Sequence, residues 1–381
     1  MNLITRRRTI LSLAAAFPAL AQDRDLLFPP ETWHNHSSSV VELPNGDLLV
    51  CWFHGSGERT ADDVRILGAR KLKATGRWTE PFEMADTPGF PDTNCTMFVD
   101  SKQRLWLFWP VILANEWETA LMKYKMTADL GGTGAPRWTH FDNILLKPKN
   151  LVERTQEVLK RDLKPTPAGR YAQRLVGMAS DKLSARLGWF TRTHPVELPS
   201  GRILLPLYSD GFSFSLMGIS DDAGQTWYAS EPIVGYGNIQ PSVVRKKDGV
   251  LVAYMRDNGP PPKRIQMSRS TDDGLTWTPA EDSELPNPGT SVEAIALRSG
   301  NWIIAYNDTE SGRHSLAISM SDDEGATWKW KRVLEAQEKC QFHYPSVIQG
   351  KDGSIHITYS YFVPAGKSIK HARIDEAWIK G

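Results

Sequence analysis

Apolar residues along this chain come in short blocks, each introduced by a turn. Leu43-Pro-Asn-Gly46 precedes Asp47–Trp52, and Asp100–Gln103 precedes Arg104–Trp109. Leu198-Pro-Ser-Gly201 precedes Arg202–Leu207, and Lys247-Asp-Gly249 precedes Val250–Met255. Arg298-Ser-Gly300 precedes Asn301–Tyr306, and Lys351-Asp-Gly353 precedes Ser354–Tyr359. Brief apolar runs bounded by Gly, Asn and Asp read as buried strands entered through tight turns. The last four units recur every 48 to 53 residues, a period that signals a repeat architecture. One gap is much longer. Within residues 145–190, Leu151–Leu163 and Gly169–Leu187 mix polar and apolar residues at roughly helical spacing. This predicts a helical insertion between the second and third units, placed at a rim.

A second repeat overlies the first. Residues Ser220–Trp227, Ser270–Trp277 and Ser321–Trp328 all read S-x-D-x-G-x-T-W, with 50 and 51 residues between their tryptophans. Asp222, Asp272 and Asp323 are expected to accept backbone N–H groups two residues on and so nucleate a turn. Gly224, Gly274 and Gly325 supply a position with positive φ. The closing Trp is large enough to wedge between sheets. These carboxylates are read as structural.

Composition agrees with many short strands: 14 Trp, and 29 Gly with 25 Pro, in 381 residues. The first 21 residues read as a removable leader. Arg6-Arg7-Arg8 is its charged part, Ile10–Leu20 its apolar part and Ala19-Leu20-Ala21 its cleavage site. Thr5-Arg6-Arg7 resembles a twin-arginine signal, with an ordinary Sec signal as the alternative. The apolar run is too short to span a bilayer. Export to the periplasm or beyond is expected. Without the leader, 42 basic residues face 44 acidic ones, a net charge of −2, and no basic block suits nucleic acid. Cys51, Cys95 and Cys340 have no metal-site spacing, and no cofactor is expected; an exported chain could pair two of them.

The three octapeptides resemble the Asp-boxes of the sialidase (neuraminidase) superfamily, a family of BNR-repeat proteins. The resemblance covers nearly all of residues 22–381. It implies an all-β fold, a single six-bladed β-propeller with the helical insertion between blades two and three. Ala74–Trp78 and Asp129–Trp138 look like degraded boxes in the first two blades. Asp-boxes also occur in propellers with other roles, so activity must be argued from the site.

The resemblance implies three arginines on a substrate carboxylate, a Tyr nucleophile paired with Glu, and an Asp as acid/base. Tyr344 lies where the nucleophile would fall. Arg256 and Arg313 match the second and third arginines. Gln240 falls where the Glu is expected and, as an amide, cannot be a base. His36 falls where the first Arg is expected, as a weaker clamp or an acid/base, and His34 is the alternative. The loop Gly55–Ile66 would carry the acid, with Asp63 favoured, Asp62 beside it and Glu58 as second choice. Arg192, Thr193, His194, Asp210, Asp257, Asn258, Asn287 and Asn307 would line a polar mouth. The leading expectation is a sialidase-like, exo-acting glycoside hydrolase on a sialic- or uronic-acid-type carbohydrate. A uronate-specific polysaccharide lyase, with Tyr344 and His36 or His194 moving the proton, and a non-catalytic glycan binder are the rivals.

Overall fold

The computed structural model describes residues 23–381 apart from 161 and 164–166. The leader therefore lies outside the described residues. Six antiparallel sheets are arranged as the blades of a propeller. Blade one is His34–Glu42, Leu48–Gly55, Arg65–Lys71 and Phe82–Ala85. Blades two, four and five repeat the same up-and-down order. Blade six takes three strands from the C-terminal part of the chain and its outermost, Asp23–Leu26, from the N-terminal part. Asp23 pairs with Arg373 and Leu26 with Lys370, so the two ends of the described chain close the ring.

All six turns foreseen from the sequence join the first and second strands of their blades with one residue at positive φ. These are Gly46, Gly201, Gly249, Gly300 and Gly353, with Gln103 in blade two. The octapeptides form a second set of turns. In the second copy, Asp272 accepts from Ser270 Oγ at 2.8 Å, Thr276 N–H at 3.0 Å and Thr276 Oγ1 at 2.6 Å. The N–H captured is four residues on, not two, because Asp273 and Gly274 both adopt positive φ and widen the turn. Copies one and three repeat these bonds. Trp227 of blade three packs edge-on against Phe108 of blade two, and Trp328 of blade five against Tyr254 of blade four. The indoles do wedge between sheets.

The first strands of blades four, five, six, one and two lie side by side around the axis. An inner edge strand presents unpaired N–H groups that must find acceptors. Hydroxyls supply them across blade boundaries: Ser346 Oγ accepts from Val40 N–H at 3.1 Å, Ser39 Oγ from Met97 N–H at 3.0 Å and Ser242 Oγ from Ala294 N–H at 2.9 Å. This explains the Ser and Thr residues in strands otherwise made of apolar side chains.

The helical insertion is present between blades two and three: α1 (Leu151–Leu159), α2 (Pro167–Ser180) and α3 (Lys182–Arg186). Leu151 and Leu159 from α1, with Ala172, Leu175 and Ala179 from α2, form one apolar face. They pack on a core shared with Trp189, Phe212 and Phe214 of blade three. Among the described residues, no helix is long and apolar enough to cross a membrane.

Candidate active site

Three first strands carry the same irregularity. The register slips by one residue between His36 and Ser39, Ile239 and Ser242, and His343 and Ser346. The residues at the slip, Ser37, Gln240 and Tyr344, have φ of 58°, 56° and 57°, and Asn94 of blade two has 40°. A bulge turns a side chain that would lie in the sheet toward a new direction. A Tyr at positive φ is a genuine outlier, and such strain gathers at functional sites. Each residue precedes its blade's turn by nine positions: 37 to 46, 94 to 103, 240 to 249, 344 to 353. Arg192 and Ser291 hold the same place before Gly201 and Gly300.

These bulges point into an axial cavity of about 230 Å3, whose walls include Tyr344, Gln240, Arg256, Arg313, His36 and Glu58. Asn94, Trp117, Tyr208 and Asp210 complete the polar wall, with Phe53 beside them. Tyr344 is the hub. Its Oη accepts from Arg256 Nη1 at 2.9 Å and from Gln240 Nε2 at 3.2 Å. The guanidinium groups of Arg192 and Arg313 lie 5.2 and 5.7 Å from its ring centre, and the His36 ring 4.2 Å away. Gln240 Nε2 also reaches Tyr208 Oη at 3.2 Å, while Asn94 Nδ2 donates to the same oxygen at 2.9 Å. Gln240 Oε1 is buried with no partner among the described residues, leaving an acceptor for a ligand donor.

Two cations stand in this cavity without a carboxylate partner among the described residues. Arg256 otherwise donates to Asn258 Oδ1 at 3.1 Å, and Arg313 to the Gly289 carbonyl at 3.4 Å. Burial, with Arg256 as a like charge, holds the Arg313 guanidinium below its ordinary value. An anionic ligand would relieve that repulsion.

Two carboxyl groups of the wall are shifted in opposite directions. Burial pushes Asp210 up, against the pull of Arg256 and with help from Glu118 and Glu58, which favours its protonated form. Burial also pushes Glu58 up, but there the His34 hydrogen bond and the charges of His34, Arg313 and Arg59 win and hold it ionised. His34 Nε2 sits 3.0 Å from Glu58 Oε1. His36 is driven well below its ordinary value by burial, then by His343, His34, Arg313 and Arg192. It is neutral, with Nδ1 2.7 Å from Ser360 Oγ, so it cannot replace an arginine as a cationic clamp.

Tyr344, Gln240, Arg256, Arg313, His36 and Glu58, the last only the second choice for the acid, thus line one cavity. Three other site residues do not. Asp63 accepts from the Ser56 N–H at 3.1 Å and Ser56 Oγ at 2.9 Å, and lines a separate outer cleft with Asp62 and Trp33. The loop folds back on itself there, and Glu58 is the carboxylate that it presents to the axis. His194 lies farther along the axis, its Nδ1 2.8 Å from Glu293 Oε1 and its Nε2 2.8 Å from the Val40 carbonyl. Arg192 is buried behind the Tyr344 ring and donates to the carbonyls of Ser38 and Pro345 at 3.2 and 2.9 Å. It ties blades one, three and six together. Asp257 and Asn287 bond turn backbone and Asn307 donates to the strand carbonyls of Ser315 and Phe342, so these three do not line the cavity. Tyr208, Asn94 and Trp117 were missed; for Asn94, the nine-residue spacing from Gln103 was the available signal.

The fold and cavity define a class: a six-bladed propeller with a cationic pocket on its axis. Residues 179–357 match the family model of the BNR repeat-like domain. The chain is 24% identical over 188 residues to the anhydrosialidase of Macrobdella decora, covering 43% of this chain and 24% of that one. It thus spans about a quarter of the curated relative that it matches. Among solved structures, a protein of unknown function from Dyadobacter fermentans superposes with a TM-score of 0.70 at 16% identity, over 94% of this chain and 100% of that one. A leech intramolecular trans-sialidase superposes at 0.69 and 13% identity, over 92% of this chain and 69% of that one. The chain is thus similar to BNR-repeat proteins over residues 179–357 and shares its fold with the solved sialidase propellers.

Proposed function

We propose that the protein is an exported glycoside hydrolase that removes a terminal, carboxylate-bearing sugar. The observation that carries this reading is the pair Arg256 and Arg313, both without a carboxylate partner among the described residues and both set against Tyr344 in a cavity of single-ring size. The guanidinium groups hold the sugar carboxylate. Asp210, favoured in its protonated form, gives its proton to the glycosidic oxygen as the C–O bond breaks. Tyr344 Oη meets the anomeric carbon, and Arg256 donates to the oxygen whose charge changes as that bond forms. Glu58 is the ionised carboxylate available to take the phenol's proton and to return it when water displaces the phenolate, the water's proton going to the Asp210 carboxylate. Gln240 holds the phenol in place and takes no proton.

The test is turnover of fluorogenic sialic-acid-type and uronic-acid-type glycosides by the purified chain from Gln22 onward. Release by the wild type, with more than a hundredfold loss in Tyr344→Phe and Asp210→Asn, is the expected result; losses of this order follow from removing a nucleophile or a proton donor. No release from either glycoside class sinks the proposal. Mass spectrometry of the exported protein checks the leader, with a new N-terminus near Gln22 expected.

One observation favours a second reading. Gln240 stands where a carboxylate base would be needed, while neutral His36 lies against Tyr344. That pair could instead move a proton from the carbon beside a uronate carboxylate, expelling the 4-linked sugar. The product would then be unsaturated and absorb in the ultraviolet, which hydrolysis does not give.

A further inference from the structure

The bulge in the first strand of blade one fixes more than a direction. Where the ladder slips between His36 and Ser39, the Ser37 N–H turns to blade six and donates to Ser360 Oγ at 3.1 Å. Ser360 lies in the second strand of that blade, Ile355–Val363, and is wholly buried. The same oxygen sits 2.7 Å from His36 Nδ1. Among the described residues the Ser360 hydroxyl has these two hydrogen-bond partners and no others.

A hydroxyl has one proton to give and two lone pairs to receive with. The Ser37 N–H takes up one lone pair. If His36 Nδ1 also donated, the hydroxyl proton would be left without an acceptor in a buried place, which folded proteins rarely tolerate. Ser360 therefore donates, and Nδ1 is the bare, accepting nitrogen. His36 is neutral, since burial and the nearby cations oppose its charge, so its one ring proton is on Nε2. The ring is not free to turn over. Tyr344, His343, Phe53, His34 and Phe362 surround it, with ring centres 4.2, 4.8, 5.4, 5.5 and 5.7 Å away. His343 does not compete for the Ser360 proton: both its nitrogens are buried without a partner among the described residues.

We infer that Ser360 is a positioning residue of the axial cavity, whose hydroxyl fixes His36 as a neutral hydrogen-bond donor, through Nε2–H, to an oxygen of the ligand. Nδ1 is engaged toward blade six, while the ring lines the cavity with Gln240 and Arg313. The polar wall then carries two neutral groups of opposite sense: His36 gives a proton to a hydrogen bond and the unpartnered Gln240 Oε1 receives one. The place of the proton follows from the protein alone; that the ligand oxygen belongs to a sugar rests on the hydrolase reading. A protonated Nε2 takes no further proton from a neutral ligand without charging the ring, which weighs against an elimination with His36 as its base.

The experiment is long-range proton–nitrogen correlation NMR of the purified protein with isotopically labelled histidine, His36 being identified by the signal missing from His36→Gln. At neutral pH the wild type should show a bare Nδ1 and a protonated Nε2. Ser360→Ala should move the proton to Nδ1 or leave it exchanging between the nitrogens, and Ser360→Thr, which restores a hydroxyl, should return the wild-type pattern. A wild-type His36 protonated on Nδ1, or on both nitrogens, overturns the inference, and so does a pattern that Ser360→Ala leaves unchanged. The wild-type spectrum decides the tautomer even where Ser360→Ala fails to fold. On an accepted glycoside, Ser360→Ala should raise KM roughly tenfold with little change in kcat, as expected when a contact made equally in the bound and reacting states is lost. An unmoved KM overturns the donor role. If no glycoside is turned over, the hydrolase reading fails, while the spectra still decide whether Ser360 sets the state of His36.

Discussion

Arg256→Ala offers the sharpest measure of the anionic pocket. In the free protein the change removes a 2.9 Å bond to Tyr344 Oη and a 3.1 Å bond to Asn258. Neither is a buried ion pair, so the fold should lose little, on the order of 1 kcal/mol for the orphaned acceptors. The substrate complex loses more. A hydrogen bond to a charged group is worth about 1.5–3 kcal/mol, and a forked guanidinium can make two to one carboxylate. One partner is also relieved, because the like charge that burdens Arg313 disappears. The net is roughly 3–4 kcal/mol, or about two to three powers of ten in kcat/KM. Arg256→Lys keeps the charge but not the fork and should fall between, about tenfold below wild type. The assay sets the carboxylate substrate against its methyl ester. Wild type should prefer the acid strongly, and Arg256→Ala should lose most of that preference. A wild type indifferent to esterification, or a variant that loses equally on acid and ester, would refute the argument that these cations read a carboxylate.

Other predictions follow from the same contacts. The pH profile of kcat/KM should be bell-shaped: activity falls as pH drops through the lowered value of Glu58 and as it rises through the raised value of Asp210. Asp210→Asn, measured on a substrate with an acidic leaving group, should lack the alkaline limb. Asp25 in the closing strand feels burial pushing it up, but hydrogen bonds from His371 and Lys71 outweigh that and bring it to about 2. Its folded value is depressed, so its stabilisation is present above the ordinary carboxylate value and is lost as pH falls toward about 2. Linkage gives roughly 2 kcal/mol, which solvent screening cuts to about 1. Urea unfolding of Asp25→Asn at neutral pH, and of wild type in acid, checks it. Asp272→Ala should cost about 1 kcal/mol of stability by freeing the Thr276 N–H, and should leave kcat/KM unchanged. Equal loss of activity there would mean that the octapeptide turn does more than hold its blade. Cys51, Cys95 and Cys340 are all buried, so a thiol reagent should label them only after unfolding.

What could be read from the sequence was what local chemistry dictates. Six turns and three octapeptides fix the blades because each needs a residue at positive φ at a set place. The helical period of 151–187 survives because α1 and α2 bury one face against blade three. Tyr344, Gln240, Arg256 and Arg313 could be placed because they sit at fixed distances from those turns. Asp63 could not: a loop side chain's direction depends on the turn inside the loop, here on the bond back to Ser56. His194 was misplaced because the first strand of blade three breaks between Thr191 and Val196, which sends Arg192 toward the Tyr344 ring and His194 toward Glu293.

The nine-residue step to each blade's turn marks six sockets, at 37, 94, 192, 240, 291 and 344, of which 37, 94, 240 and 344 are at positive φ. Each socket is defined by backbone geometry and by hydroxyl pins two residues further on in blades one, four and six, not by the side chain that occupies it. Reagents can therefore be exchanged at the hub while the scaffold stays as it is. Gln240→Glu would place a carboxylate against the Tyr344 phenol in one step, and any difference in rate would show how much of the proposed chemistry one amide withholds.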